Sequence, residues 1–137
     1  MLEANIAGRP YSHNIRVVRG GLWGWDANLT ADPDAKGSHG DWGNVVKEAA
    51  EGEKSFPAYA VESLMKRYNF PRLDIAKIDI EGAESIVFAV HKQAVRVQDW
   101  LPRVNMLTLE VHPWFAHHYF GQDKLFEKVR LKLRDAR

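Results

Sequence analysis

The chain has 137 residues, of which 45% are hydrophobic and 27% charged, with a formal net charge of +1. That length supports one domain with a real core, and the near-neutral balance removes the polyelectrolyte signal of a nucleic-acid or membrane-surface protein. Zero cysteines exclude a disulfide framework, thiolate metal sites and a cysteine nucleophile, and fit a reducing compartment such as the cytoplasm.

The longest apolar run is far short of the roughly 20 residues that a membrane span requires. The opening, MLEANIAGRPYSHN, lacks the basic start and apolar middle of a secretory leader. NIRVV (14–18) has strand composition and runs into the turn signal Gly20-Gly21. GLWGWDANLT (21–30) reads as a further short extended piece, with Trp23 and Trp25 as packing residues. Residues 31–55 are rich in Gly, Asp, Lys and Glu and read as an insertion loop, in which only NVVKEAA offers a helical turn. His39, Asp41 and Trp42 lie there, with no spacing that specifies a metal.

Periodicity then becomes clear. Val61, Leu64, Met65 and Tyr68 recur at i, i+3, i+4 and i+7, which marks an amphipathic helix. Pro71 is its expected stop. The strand DIAKIDI follows, then a helix over about 83–96 with Ala83, Ile86, Val87, Val90 and Ala94 on one face. Trp100 and Leu101-Pro102 close that connection, and VNMLTLEVH (104–112) is a second strand, stopped by Pro113. Two strands joined by a helix predict a parallel βαβ unit. A last helix over 124–134 carries Leu125, Phe126, Val129 and Leu133 on one face. The class is α/β with a parallel core.

Ligands of open parallel sheets sit beyond the carboxyl ends of the strands. That rule selects Asp79 and Glu81 on the first strand and Glu110 and His112 on the second, each pair at i, i+2 and so on one side. Glu81 and Glu84 also suit the N-terminus of the following helix. Asp79 sits inside the apolar run, where an unpaired carboxylate is costly, and Lys77 is its nearest candidate partner. Glu110, His112, His117 and His118 hold enough ligand atoms for a metal but match no metal signature, so no metal is assigned. Lys124, Lys128, Arg130, Lys132, Arg134 and Arg137 read as a solvated basic face rather than a nucleic-acid surface. No phosphate loop, Gly-x-Gly-x-x-Gly turn or serine elbow occurs.

The stretch FPAYAVESLMKRYNFPRLDIAKIDIEGAES followed by VNMLTLEVH resembles the C-terminal half of FkbM-type methyltransferases. The family block Asp-x-x-Lys-x-Asp-x-Glu-Gly-x-Glu is complete here as Asp74, Lys77, Asp79, Glu81, Gly82 and Glu84, and the later strand ends in Glu110 and His112. Glu62 stands where the family more often has aspartate. The likeness is best over 56–115, looser over NIRVVRGGLWGWDANL, and makes 1–137 a partial methyltransferase domain. LEANI corresponds to the tail of a helix.

The resemblance implies a Rossmann-like parallel sheet of class I methyltransferase type, incomplete because its central N-terminal strands and final antiparallel strands are missing. It implies S-adenosylmethionine as cofactor, with no cofactor-binding residue assignable here because the family's glycine-rich motif lies upstream. The family activity is methylation of hydroxyls on sugars or natural products, so the implied partner is a small-molecule hydroxyl acceptor. By analogy Asp79 or His112 is the base, with Glu81 and Glu110 orienting hydroxyls. Missing central strands expose apolar edges, which implies marginal stability or self-association. A non-catalytic remnant acting as a binding or assembly module is the alternative.

Overall fold

The computed structural model describes residues 2–32, 45–80, 83–88 and 99–110. They form a mixed α/β arrangement with two sheets and short helices. Helix α1 (Leu2–Ile6) opens the chain, as expected for LEANI, and Glu3 accepts a 2.7 Å ion-pair contact from Arg19. NIRVV does not form a strand. Ile15 has extended backbone, but residues 15–19 pair with no other strand among the described residues, despite their β-branched composition. Strand propensity reports how well a residue suits a pleated surface, and without a neighbouring edge it builds no ladder.

The first sheet contains β1 (Gly21–Leu22), β2 (Ala27–Ala31), β3 (Val46–Glu48) and β4 (Phe56–Tyr59), in the order β1-β4-β2-β3. Strand β2 is antiparallel to both β3 and β4, while β1 is parallel to β4 through Gly21–Ala58 and Leu22–Tyr59. Pro57 offers no N–H, and β1 meets β4 only beyond it. The helical turn expected in NVVKEAA is instead β3, because Val46 packs against the core at the position facing Ala31. Asp32 N–H donates to the Val45 carbonyl at 2.8 Å, closing the chain on either side of residues 33–44.

Helix α2 (Val61–Arg67) follows at once, with Val61 and Met65 buried as the periodicity predicts. Its start is capped from afar: Asp26 Oδ1 accepts the Ala60 N–H at 2.9 Å. Its end precedes Pro71. Asn69 adopts φ 56°, the Asn69 N–H donates to the Lys66 carbonyl at 3.2 Å, and the Phe70 N–H donates to the Met65 carbonyl at 2.8 Å. This is a Schellman closure in which asparagine accepts the left-handed conformation that β-branched residues resist.

Strands β5 (Leu73–Ile78) and β6 (Val104–Leu109) then pair in parallel, with Ile75 opposite Met106 and Ile78 opposite Leu109. The expected βαβ pairing is therefore present, but as a two-stranded sheet separate from the first. Parallel pairing among the described residues is confined to β1–β4 and β5–β6, so they do not form one parallel sheet. The face carrying Ala76, Ile78, Leu107 and Leu109 turns inward. On the other face Ile75 and Met106 remain 66% and 57% exposed.

Between the sheets sits α3 (Glu84–Val87), capped at Phe88 and lying within the span expected to be helical over 83–96, of which residues 89–96 lie outside the described residues. Its Val87 and the following Phe88 join Val61, Met65, Ile78, Trp100 and Leu101 in one core cluster, while Ile86 joins Trp23, Leu29, Ala58 and Ala83 in another. Phe88 and Trp100 meet at 5.6 Å between ring centroids. Gly24 lets the β1–β2 corner approach α3, since a Cβ there would lie 2.7 Å from the Ile86 carbonyl. A tight turn at Leu101–Arg103 leads into β6, as the sequence suggests.

Two changes test this packing. Met65→Ala removes a side chain that is 2% exposed, and urea unfolding is expected to show a loss of about 2–5 kcal/mol. Asp26→Ala leaves the Ala60 N–H without its acceptor and is expected to cost about 1–2 kcal/mol. An unchanged urea midpoint in either variant would contradict the contact it probes.

Candidate functional site

The carboxyl ends of β5 and β6 lie side by side because the two strands run parallel in register. Ile78 is buried and anchors the end of β5, and Asp79 emerges one residue later, outside the strand rather than within it. The expected penalty for a carboxylate inside a buried strand therefore does not arise. Lys77 Nζ donates to Asp79 Oδ2 at 2.9 Å, which makes Lys77 the partner that the i, i+2 spacing suggested. The Asp79 side chain is 34% exposed, so one oxygen is held by the ammonium while the group still reaches solvent.

Strand β6 stops at Leu109, short of the expected end at residue 112. The Glu110 N–H nevertheless donates to the Ile78 carbonyl at 3.0 Å and carries the ladder one residue further. This bond fixes the Glu110 backbone beside the end of β5. The hydrogen bond to Asp79 and the negative charge of that carboxylate raise the Lys77 pKa, and the charge of Glu110 adds to the effect. One cation thus answers to carboxylates from both strands.

Asp79 and Glu110 are the two predicted site residues that the fold brings to the carboxyl ends of β5 and β6. Glu81 and His112 lie outside the described residues, as do His117, His118, His39, Asp41 and the basic segment 124–134. Among the described residues no group of three or more His, Cys, Asp or Glu side chains could hold a metal, and no helix is long and apolar enough to cross a membrane.

Two other members of the sequence block have different surroundings. Asp74 accepts from Asn105 Nδ2 at 3.1 Å across the pair and from Arg72 at 3.3 Å. It lies about 16 Å down the strand from Asp79, taking roughly 3.3 Å per residue, and pins the register of β5 on β6. Glu84 opens α3 fully buried, a position at the helix N-terminus that favours a carboxylate. Asp26 escaped the sequence reading. No spacing signals that an aspartate will accept the N–H of a residue 34 positions later, just ahead of a helix.

Trp23 is 6% exposed and meets Trp25 edge-on at 6.2 Å, in keeping with packing rather than a stacking platform for ligand. A nucleoside cofactor needs glycine backbone that it can approach closely. Gly20 and Gly24 do not offer it: their open sides face the Pro57 carbonyl at 2.6 Å and the Ile86 carbonyl at 2.7 Å from an added Cβ. The described glycines on the β1 side are thus taken up by the chain's own packing.

Residues 10–137 match the methyltransferase FkbM domain family. No curated protein sequence and no solved structure matches the chain.

The raised Lys77 pKa has a definite sign. The pair's contribution is complete below the ordinary lysine value of about 10.4 and fades as pH climbs through the higher folded value. NMR titration of the Lys77 side chain is expected to show a midpoint above the ordinary lysine value, and Asp79→Asn is expected to lower it. Identical midpoints in the two proteins would mean the contact is absent in solution.

Proposed function

The chain belongs to the FkbM methyltransferase family, and on that premise we propose that its chemistry is methylation of a hydroxyl oxygen on a small sugar or natural-product type acceptor, with S-adenosylmethionine as the methyl source. The observation that supports this reading best is the Lys77–Asp79 pair standing beside Glu110 at the carboxyl ends of two parallel strands. Open parallel sheets place their chemistry there.

A hydroxyl becomes a better nucleophile as its proton is taken up by a positioned base. With Lys77 holding Asp79 Oδ2, the other carboxylate oxygen is the acceptor for that proton. The ion pair fixes the carboxylate in orientation, which counts because a misdirected base loses most of its benefit. Glu110, fixed through its backbone to Ile78, accepts hydrogen bonds from neighbouring hydroxyls. Glu81 shares that orienting role and His112 is the second candidate base, both on the family pattern.

In the same proposal the two sheets belong to a Rossmann-like methyltransferase sheet of which this chain is a part. A second reading has specific support. The sides of Gly20 and Gly24 are filled by the chain's own carbonyls, which favours a non-catalytic module descended from such an enzyme.

Calorimetric titration of the folded chain with S-adenosylhomocysteine separates the two. A Kd tighter than about 100 μM, roughly 5.5 kcal/mol, supports the catalytic reading, whereas no heat supports the module. Asp79→Asn is expected to leave that affinity within about threefold. It should cut transfer of labelled methyl to hydroxyl acceptors by about 10²–10⁴-fold. Undiminished transfer would remove Asp79 as the base.

A further inference from the structure

Asp79 and Glu110 each follow directly on the last register pair of the two-stranded sheet, Ile78 and Leu109. Their backbones therefore lie about 4.8 Å apart, the spacing of neighbouring strands. The Glu110 N–H bond to the Ile78 carbonyl at 3.0 Å holds them there. Two carboxylates from different strands thus share one end of the sheet, and the ion pair described at that end is Lys77–Asp79. The Lys77 ammonium lies 2.9 Å from Asp79 and feels the more distant charge of Glu110. It balances one carboxylate and leaves these three groups with an excess of negative charge. The Lys77 and Asp79 side chains are 66% and 34% exposed, so this charge acts on whatever approaches from solvent.

Such an excess favours one class of acceptor. An anionic acceptor would meet both carboxylates, and a neutral one leaves the excess unanswered. The methyl donor answers it poorly. A sulfonium loses its charge as its methyl leaves, so a carboxylate close to it holds the ground state more firmly than the transition state and slows transfer. An ammonium on the acceptor keeps its charge throughout. Its attraction to a carboxylate is equal in both states and serves binding.

Resting on the methyltransferase reading above, we propose that the acceptor carries an ammonium group next to the hydroxyl to be methylated, as an amino sugar or another vicinal amino alcohol does. Glu110 receives the ammonium, while Asp79, held by Lys77, receives the hydroxyl. The two receiving groups stand on adjacent strands, and the two received groups stand on adjacent carbons. Glu110 is then a specificity residue, which acts on affinity and on the choice of acceptor.

The test is an NMR titration of the full chain at pH 6 with glucosamine, glucose and glucuronate, one ring scaffold carrying a positive, neutral or negative group. The Lys77 side-chain signals and the Glu110 amide report binding. Glucosamine should bind at least about threefold tighter than glucose, the scale of one exposed charge pair, and glucuronate should bind most weakly. In 1 M NaCl, where screening acts within about 3 Å, the three affinities should converge. Glu110→Gln keeps the backbone bond to Ile78 and should erase the advantage of glucosamine over glucose. Glucuronate binding tightest would overturn the proposal, as would an order unaffected by Glu110→Gln, or no shift at Lys77 or Glu110 with any of the three. The predicted order without any methyl transfer would support this preference and count against the transfer chemistry. Methyl transfer without the predicted order would overturn the preference alone.

Discussion

Everything described here depends on what the four-residue helix α3 does with adjacent side chains. Ile86 enters the cluster beneath β2 and β4, while Val87 and Phe88 enter the cluster beneath β5 and β6. Phe88 and Trp100 are both fully buried and in ring contact, so the second cluster closes around two large aromatic surfaces rather than many small ones. A helix this short has little stability of its own. Its geometry is imposed by tertiary burial, and the close approach at Gly24 is part of that imposition. The positions of Asp79 and Glu110 follow, because Ile78 belongs to the same cluster that Phe88 completes.

What the sequence made legible was the part governed by local periodicity. Val61 and Met65 lie on the buried face of α2 as their spacing requires, and the runs around Ile75 and Leu107 became parallel strands. Lys77 and Asp79 were readable as partners because i, i+2 in a strand fixes a common side. What was not legible depended on distant neighbours. The NIRVV segment has β-branched residues and no ladder, and NVVKEAA became a strand because β2 was present to pair with it. The end of α2 was attributable to Pro71, yet Asn69 closes the helix through its own backbone conformation before proline is reached. Asp26 is the plainest case, since its partner Ala60 is a backbone N–H with no sequence signature. The division of the strands into two sheets was equally invisible, since composition does not say which edges meet.

The carboxylates of the sequence block differ in a useful way. Of the carboxylates in the sequence block, Asp74 is tied across the strands and Glu84 is buried, whereas Asp79 keeps contact with solvent beside a cation. Identical functional groups a few residues apart thus carry different duties because burial and partners differ, not because the residues do. The Lys77 ammonium is held by Asp79 and also feels the more distant charge of Glu110.

The closure at Asp32 and Val45 has an entropic consequence. The 2.8 Å bond between them, reinforced by the Lys47–Asp32 contact at 3.4 Å, brings together the two residues that flank 33–44. The entropy of joining two fixed points grows only logarithmically, about 0.6 kcal/mol for each doubling of length. Where two fixed points are joined by a flexible connection, a change in its length therefore carries little thermodynamic penalty, whereas the strands that flank this one are held to a register.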